Sequence, residues 1–159
     1  MDFTNATIEP ADGLHFRIDC VPPSTTSQGK RAVVTPMGVR FFKSKQGKDA
    51  ERTYESLLAP FRPDQPVSGP VRLELVFVWP WRKSDLSTKA QQAARSHKDA
   101  RRWHEGKPDC DNIAKQFCDC LSTLLFIGND AKVAELHVRK FWGTSPGIEV
   151  TITPLEPAG

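Results

Sequence analysis

Lys107–Asp130 reads KPDCDNIAKQFCDCLSTLLFIGND, and the reading of this stretch decides the reading of the rest. Asp109 and Asp111 stand one residue apart behind Pro108. Ile113, Phe117, Leu121, Leu124 and Leu125 then recur at three- and four-residue spacing, the period of a helix with one buried face. The pattern predicts an amphipathic helix from Asp111 to Phe126. Asp111, Lys115 and Asp119, spaced four apart, form a charged stripe along it. Asp130 comes after a Gly128-Asn129 turn and before a strand-like run.

Carboxylates and a lysine placed this way suit a cation. Mg²⁺, a hard divalent ion, prefers carboxylate and water oxygens. Lys115 beside such an ion is placed to contact phosphate or to offset charge that builds in a phosphoryl transition state. A plainer account stays open: a solvated helix face with Asp111 as N-cap and an Asp–Lys pair at i,i+4.

The string Lys107-Pro108-Asp109-x-Asp111-Asn112-x-x-Lys115-x-x-x-Asp119-x-Leu121, with Asn129-Asp130-x-x-Val133 after it, resembles the RusA family of Holliday-junction resolvases. That family's signature is a D-x-D-N pair opening a helix, a lysine one turn in, and an Asp-Asp pair before the next strand. A weaker echo is Val21-Pro22-Pro23-Ser24 after a first strand. One departure stands out: the usual Asp-Asp is Asn129-Asp130 here, so the position the family uses as a metal ligand is kept and the one before it is changed.

The resemblance implies an endodeoxyribonuclease that resolves four-way DNA junctions by paired symmetrical nicks with ligatable ends, acting as a homodimer in recombination and repair. The expected mechanism is metal-assisted phosphodiester hydrolysis. Mg²⁺ held by Asp109, Asp111 and Asp130 polarises the scissile phosphate and lowers the pKa of a bound water that attacks in line. Lys115 faces the phosphate. Asp119 is either an outer ligand or a group that orients Lys115. Two other functions stay open: a general metal-dependent nuclease on other branched or single-stranded nucleic acid, and a non-catalytic DNA-binding module on the same fold.

The chain has 159 residues, enough for one domain with a real core. Its 38% hydrophobic content includes no apolar run long enough to span a bilayer. The start, MDFTNATIEPADG, lacks the basic and apolar regions of a secretory signal, so a cytoplasmic location is expected. Net charge of +3 is compatible with a nucleic-acid partner. Cys110, Cys118 and Cys120 cluster in the key stretch, with Cys20 apart. Residues two apart on a helix point about 200° from each other, so Cys118 and Cys120 do not face one zinc ion. Free thiols in a reducing compartment are expected.

Working outward, residues 1–12 read as a loose end. Leu14–Val21 alternates as a half-buried strand that Pro22-Pro23 ends. A polar loop delivers Lys30 and Arg31, and Val33–Lys43 reads as a hairpin about Pro36-Met37-Gly38. Gly47–Ala59 is the first helix, with Ala50, Tyr54, Leu57 and Leu58 inward, stopped by Pro60 and Pro63. Val71–Trp79 is the clearest strand, and Val76 and Val78 suggest cover on both faces. Residues 82–106 read as a basic helical insertion, with Ser84 a candidate cap. Downstream, Lys132–Trp142 and Ile148–Thr153 are strands, and 154–159 is tail. The order is β-(hairpin)-α-β-(helical arm)-α-β-β: an α/β sandwich, α+β in class, with a small mixed sheet and two main helices. Lys30, Arg31, Lys43, Arg95, Lys98, Arg101, Arg102, Lys107 and Lys140 are the candidate DNA contacts. His104 is a candidate phosphate-positioning residue.

The helix raises a geometric question. From Asp111 to Phe126 it is about 22 Å long at ~1.5 Å per residue. An extended return to Asp130 recovers only about 13 Å. Asp130 then falls short of an ion held by Asp109 and Asp111 of the same chain. Either the helix ends early, near Ser122, or the cage is completed across a two-fold axis by the Asp130 of a second copy. The sequence reading favours the second.

Overall fold

The computed structural model describes residues 13–24, 30–43 and 45–156. In chain order the elements are β1 (Leu14–Ile18), β2 (Lys30–Thr35), β3 (Gly38–Lys43), α1 (Lys45–Leu58), β4 (Val71–Pro80), α2 (Lys89–Ala94), β5 (Arg101–Trp103), α3 (Cys110–Thr123), β6 (Val133–Gly143) and β7 (Gly147–Pro154). Five strands form one mixed sheet, ordered β1-β7-β4-β6-β5, and β2 with β3 forms a separate antiparallel hairpin. The expected α+β class is the observed one. No helix among the described residues is long and apolar enough to cross a membrane. Residues 1–12 and 25–29 lie outside the described residues, as do the side chains of Lys30, Arg31 and Lys43.

β4 takes the centre because it is apolar on both sides. Val71, Leu73, Leu75, Phe77 and Trp79 are buried towards the helices, and Val76 and Val78 are buried on the opposite face. β4 pairs antiparallel with β7 and parallel with β6. A parallel pair needs a crossover, and here β5 and α3 lie within it. α3 therefore runs back against β4 and β6. Its start lies where those strands finish, with Pro108 bonded to Lys140 of β6. Its end lies where they begin, with Phe126 bonded to Val67 just before β4.

The core forms where the apolar stripe of α3 meets this sheet. Ile113, Phe117 and Leu121 are fully buried. Phe117 packs edge-on against Phe77 of β4 at 5.1 Å and against Tyr54 of α1 at 4.9 Å. Tyr54 Oη donates to the Pro23 carbonyl at 3.2 Å and Trp79 Nε1 to the Pro22 carbonyl at 2.8 Å. The Pro22-Pro23 carbonyls, released when β1 ends, are thus satisfied by core aromatics.

Two expectations need correction. First, α3 ends at Thr123, beside the early end near Ser122 that the sequence left open, and not at Phe126. Leu125 takes φ +61°, and the N–H groups of Leu125 and Phe126 donate to the Ser122 and Leu121 carbonyls at 3.1 and 2.9 Å. That is a Schellman closure, with Phe126 and Leu121 supplying its usual apolar contact positions. Second, residues 82–106 are not a helical arm. They contain a 3-10 turn (Lys83–Leu86), the six-residue α2, and β5 as an edge strand on β6. Thr88, not Ser84, caps α2 by accepting from the Gln91 N–H. Asp85 draws Arg82 and Arg102 inward, and Thr144 and Ser145 bond the Arg95 and Lys98 carbonyls. A segment tied at so many points folds onto the body.

Candidate active site

β5 delivers the chain to the site. His104 N–H donates to the Lys140 carbonyl at 3.0 Å, extending the β5–β6 pairing by one residue. The His104 ring is buried and stacks on Trp142, with centroids 4.0 Å apart. Burial, then the neighbouring Lys140 charge, holds its pKa below the usual histidine value. Its Nδ1 accepts from the Gly106 N–H at 3.1 Å, which assigns the proton of the neutral ring to Nε2. His104 is therefore packed into the body, with its Nδ1 holding the Gly106 N–H.

Lys140 corrects the sequence reading most clearly. It was expected on the DNA surface, yet it is 8% exposed. Its Nζ donates to the Gly106 and Pro108 carbonyls, both at 2.6 Å. Lys140 thus fixes the backbone immediately before Asp109, across a Lys107–Pro108 peptide that is cis. A signal existed in the sequence. Lys140 falls in the alternation of Leu136, Val138 and Trp142, whose register partners on β4 are the inward-facing Leu73, Leu75 and Trp79.

Asp109 is the N-cap of α3, with φ −69° and ψ 148°, but its side chain makes no capping bond. N-cap carboxylates usually accept from the helix backbone, so this one is left free for another partner. Asp111 is exposed in the first turn. One turn on, Lys115 Nζ lies 3.6 Å from Asp119 Oδ2, as their i,i+4 spacing requires. The front of α3 thus presents two hard, open carboxylates with an ammonium one turn behind. That donor set fits Mg²⁺ in kind, though it is short of a full ligand shell.

Asp130 does not join them. It opens a short turn, Asp130–Lys132, that packs beside α3. Burial pushes the Cys118 thiol up to about 11, and the charges of Asp119 and then Asp130 push the same way. Asp130 therefore lies near the middle and far half of the helix. The strand from Val133 to Lys140 separates the two ends by roughly 20 Å at ~3.3 Å per residue. Oxygens sharing a Mg²⁺ lie within about 4 Å of one another, given a metal–oxygen distance of ~2.1 Å. Among the described residues no three acidic, His or Cys side chains converge to hold a metal. The early end of α3 does not close the gap, because Phe126 and Ile127 go into the core before the chain turns.

The remaining candidate DNA contacts divide. Lys98 and Lys107 are exposed, Lys107 within two residues of Asp109. Arg101 pairs with Glu149 at 2.8 Å and Arg102 with Asp85 at 2.8 Å. Arg95 donates to the Asp85 carbonyl and lies over Trp81 at 4.9 Å. These three arginines serve the fold at least in part. The candidates Lys30 and Arg31 lie on β2 and Lys43 on β3, with side chains outside the described residues. The sequence reading passed over Trp103, which is 61% exposed on the edge strand and stacked on Phe141 at 4.5 Å. A tryptophan in so charged a segment was its signal.

Residues 19–153 match the family model described as endodeoxyribonuclease RusA. A relative from Bacillus subtilis (strain 168), the uncharacterised protein YqaN, is 30% identical over 132 residues, covering 82% of this chain and 84% of the relative.

Proposed function

The chain belongs to the RusA family of endodeoxyribonucleases, and on that premise we propose that it resolves four-way DNA junctions by metal-dependent phosphodiester hydrolysis, nicking two opposed strands in DNA recombination and repair. The observation that carries this is the uncapped Asp109 beside exposed Asp111 at the head of α3, with Lys115 one turn behind. Asp109 and Asp111 would hold Mg²⁺. When bound, that ion supplies positive charge at the scissile phosphate and a more acidic water. Lys115 contacts the phosphate and offsets charge that develops there. Asp119 orients Lys115, and Lys140 fixes the backbone that carries Asp109.

The separation of Asp130 from Asp109 within one chain supports a composite site. In a two-fold dimer the Asp130 of a second copy completes the ligand set. Such a dimer matches the near two-fold symmetry of a four-way junction and its two opposed cuts. Asn129, extended at φ −163° with no side-chain capping bond, takes no part in this assignment.

The test is cleavage of a labelled four-way junction with and without Mg²⁺, using wild type and Asp111→Asn. Paired symmetrical nicks are expected from wild type with Mg²⁺. Asp111→Asn should cleave nothing and bind the junction at least as tightly, since a negative charge is gone. Tight junction binding by wild type without cleavage under any divalent metal would make the protein a binding module. Equal cleavage of flaps and single strands would make it a general nuclease.

A further inference from the structure

We propose that the β2–β3 hairpin is a DNA-engaging ribbon whose apolar face and turn insert against unstacked bases at the open centre of branched DNA. The inference rests on the junction reading above and adds how the branch point is recognised.

The hairpin stands apart from the main sheet, and among the described residues no other element packs extensively on it. Cross-strand partners share a face, and faces alternate along a strand. Ala32 opposite Phe41 and Val34 opposite Val39 therefore put four apolar residues together on one face towards the turn, and Lys30 opposite Lys43 holds the next position of that face at the open end of the ribbon. Val34 is 83% exposed, Phe41 67%, and Met37 at the turn 88%. A two-stranded hairpin is marginal by itself in water, and an exposed apolar patch on one marks a surface that meets something.

Charge identifies the occupant. Between Asp19 and Asp49 the sequence holds Lys30, Arg31, Arg40, Lys43, Lys45 and Lys48 and no Asp or Glu. A second copy docked here would bring two such cation sets together. A polyanion is the complement. Two-stranded ribbons fit nucleic-acid grooves, and apolar wedges enter between base steps. Insertion costs least where bases are already partly unstacked, which is the centre of a junction and not a linear duplex. Arg40, on the opposite face beside Val33, is placed to take phosphate.

The experiment compares wild type, Val34→Ser/Phe41→Ser and Arg40→Gln without divalent metal, so that nothing is cut. Affinities for a four-way junction and a linear duplex of matched sequence are measured, with 2-aminopurine fluorescence at the branch point. Circular dichroism and solution mass are recorded for each. The double variant should keep its fold, its mass and its duplex affinity. It should lose junction affinity about tenfold or more, together with the fluorescence rise, since base–side-chain stacking carries that much. Arg40→Gln should weaken both DNAs alike and flatten the salt dependence. Undiminished junction affinity and fluorescence in the folded double variant overturn the proposal. A change from dimer to monomer also overturns it, by placing a second copy on the hairpin. So does a wild type with no preference for branched DNA. Wild type that unstacks the junction but cuts nothing with Mg²⁺ defeats the junction-cleaving reading and leaves this one standing. A double variant that binds like a cutting wild type does the reverse.

Discussion

The two ends of α3 are held by different physics. The front, at Asp109, is fixed by an ammonium: Lys140 reaches from β6 and holds the Gly106 and Pro108 carbonyls. The back, at Thr123, is closed by backbone bonds and by burial of Leu121 and Phe126. A buried charge is costly unless its partners are in place, so the front is fixed tightly or not at all. The anchor grips main-chain oxygens and leaves the carboxylates of Asp109 and Asp111 unencumbered. Damage to the Lys140 anchor at the front should appear in chemistry, and damage to the helix closure at Leu121–Phe126 in stability alone.

The sharpest test of that division asks whether the two ends meet in one site. Asp111→Asn lacks a front-end ligand and Asp130→Asn a back-end one. Each variant alone should be inactive. If the site spans two chains, a mixed dimer keeps one intact set, with Asp109 and Asp111 from one copy and Asp130 from the other. Random mixing makes half the dimers mixed, each with one good site, so about a quarter of wild-type sites should return. The product should be a junction nicked on one strand. No recovery on mixing would mean that each chain builds its own site, by a rearrangement of the Asp130 turn.

Removing the anchor should have the next largest effect. Lys140→Met takes the donor from the buried Pro108 carbonyl and the partly buried Gly106 carbonyl, at about 2–4 kcal/mol of stability by denaturant unfolding. The Mg²⁺ concentration for half-maximal cleavage should rise ~10- to 100-fold, as when support behind a metal ligand is lost. Junction affinity without metal should hold. If it falls instead while the Mg²⁺ dependence stays put, Lys140 contacts DNA after all.

The outer support of the front end is weaker. The Arg82 side chain bonds Asp85 and, against the burial of that carboxyl, holds its pKa down to about 2, with Arg102 helping. A folded-state value below the ordinary 3.8 stabilises the fold above that pH, and the contribution fades as pH falls through about 2. Asp85→Asn should therefore lose about 1 kcal/mol at neutral pH, discounted because Arg82 is half exposed, and less below pH 2. Unfolding curves from pH 7 to 2 for both proteins check it. A deficit independent of pH would mean that packing, not charge, is what Asp85 provides.

How much of this could be read from the chain follows the range of each interaction. Ile113, Phe117 and Leu121 were legible as a buried stripe because the helical period is local. Asp111, Lys115 and Asp119 were legible as one charged stripe for the same reason. The end of α3 was legible only as one of two alternatives, since Leu124, Leu125 and Phe126 carry the apolar period past the turn that breaks it. The segment 82–106 misled because composition shows its arginines but not their pairing: Asp85, in the same segment, takes Arg102 across 17 residues, and Glu149, far outside it, takes Arg101. Lys140 misled because a lysine in a strand reads as solvent-facing unless its register is counted. The gap between Asp109 and Asp130 was legible as a length, and which way the chain crosses it is set by the parallel pairing of β4 and β6.

The smallest effect belongs to the back end. Leu125 holds φ +61° without being glycine, and it is 44% exposed, so little burial offsets the strain. The left-handed conformation costs a residue with a Cβ about 1–2 kcal/mol. Glycine removes that cost but gives the unfolded chain more freedom, worth about 0.4–1 kcal/mol the other way. Leu125→Gly should therefore raise stability by about 0.5 kcal/mol in urea unfolding, with cleavage and its Mg²⁺ dependence unchanged. Leu125→Val, β-branched in the same conformation, should lose about 1 kcal/mol or more. If the glycine variant is instead less stable, the half-exposed leucine side chain is what closes the helix. If its cleavage changes while its stability does not, the back of α3 takes part in the chemistry, and the contrast between the two ends fails at the end where it is expected to be safest.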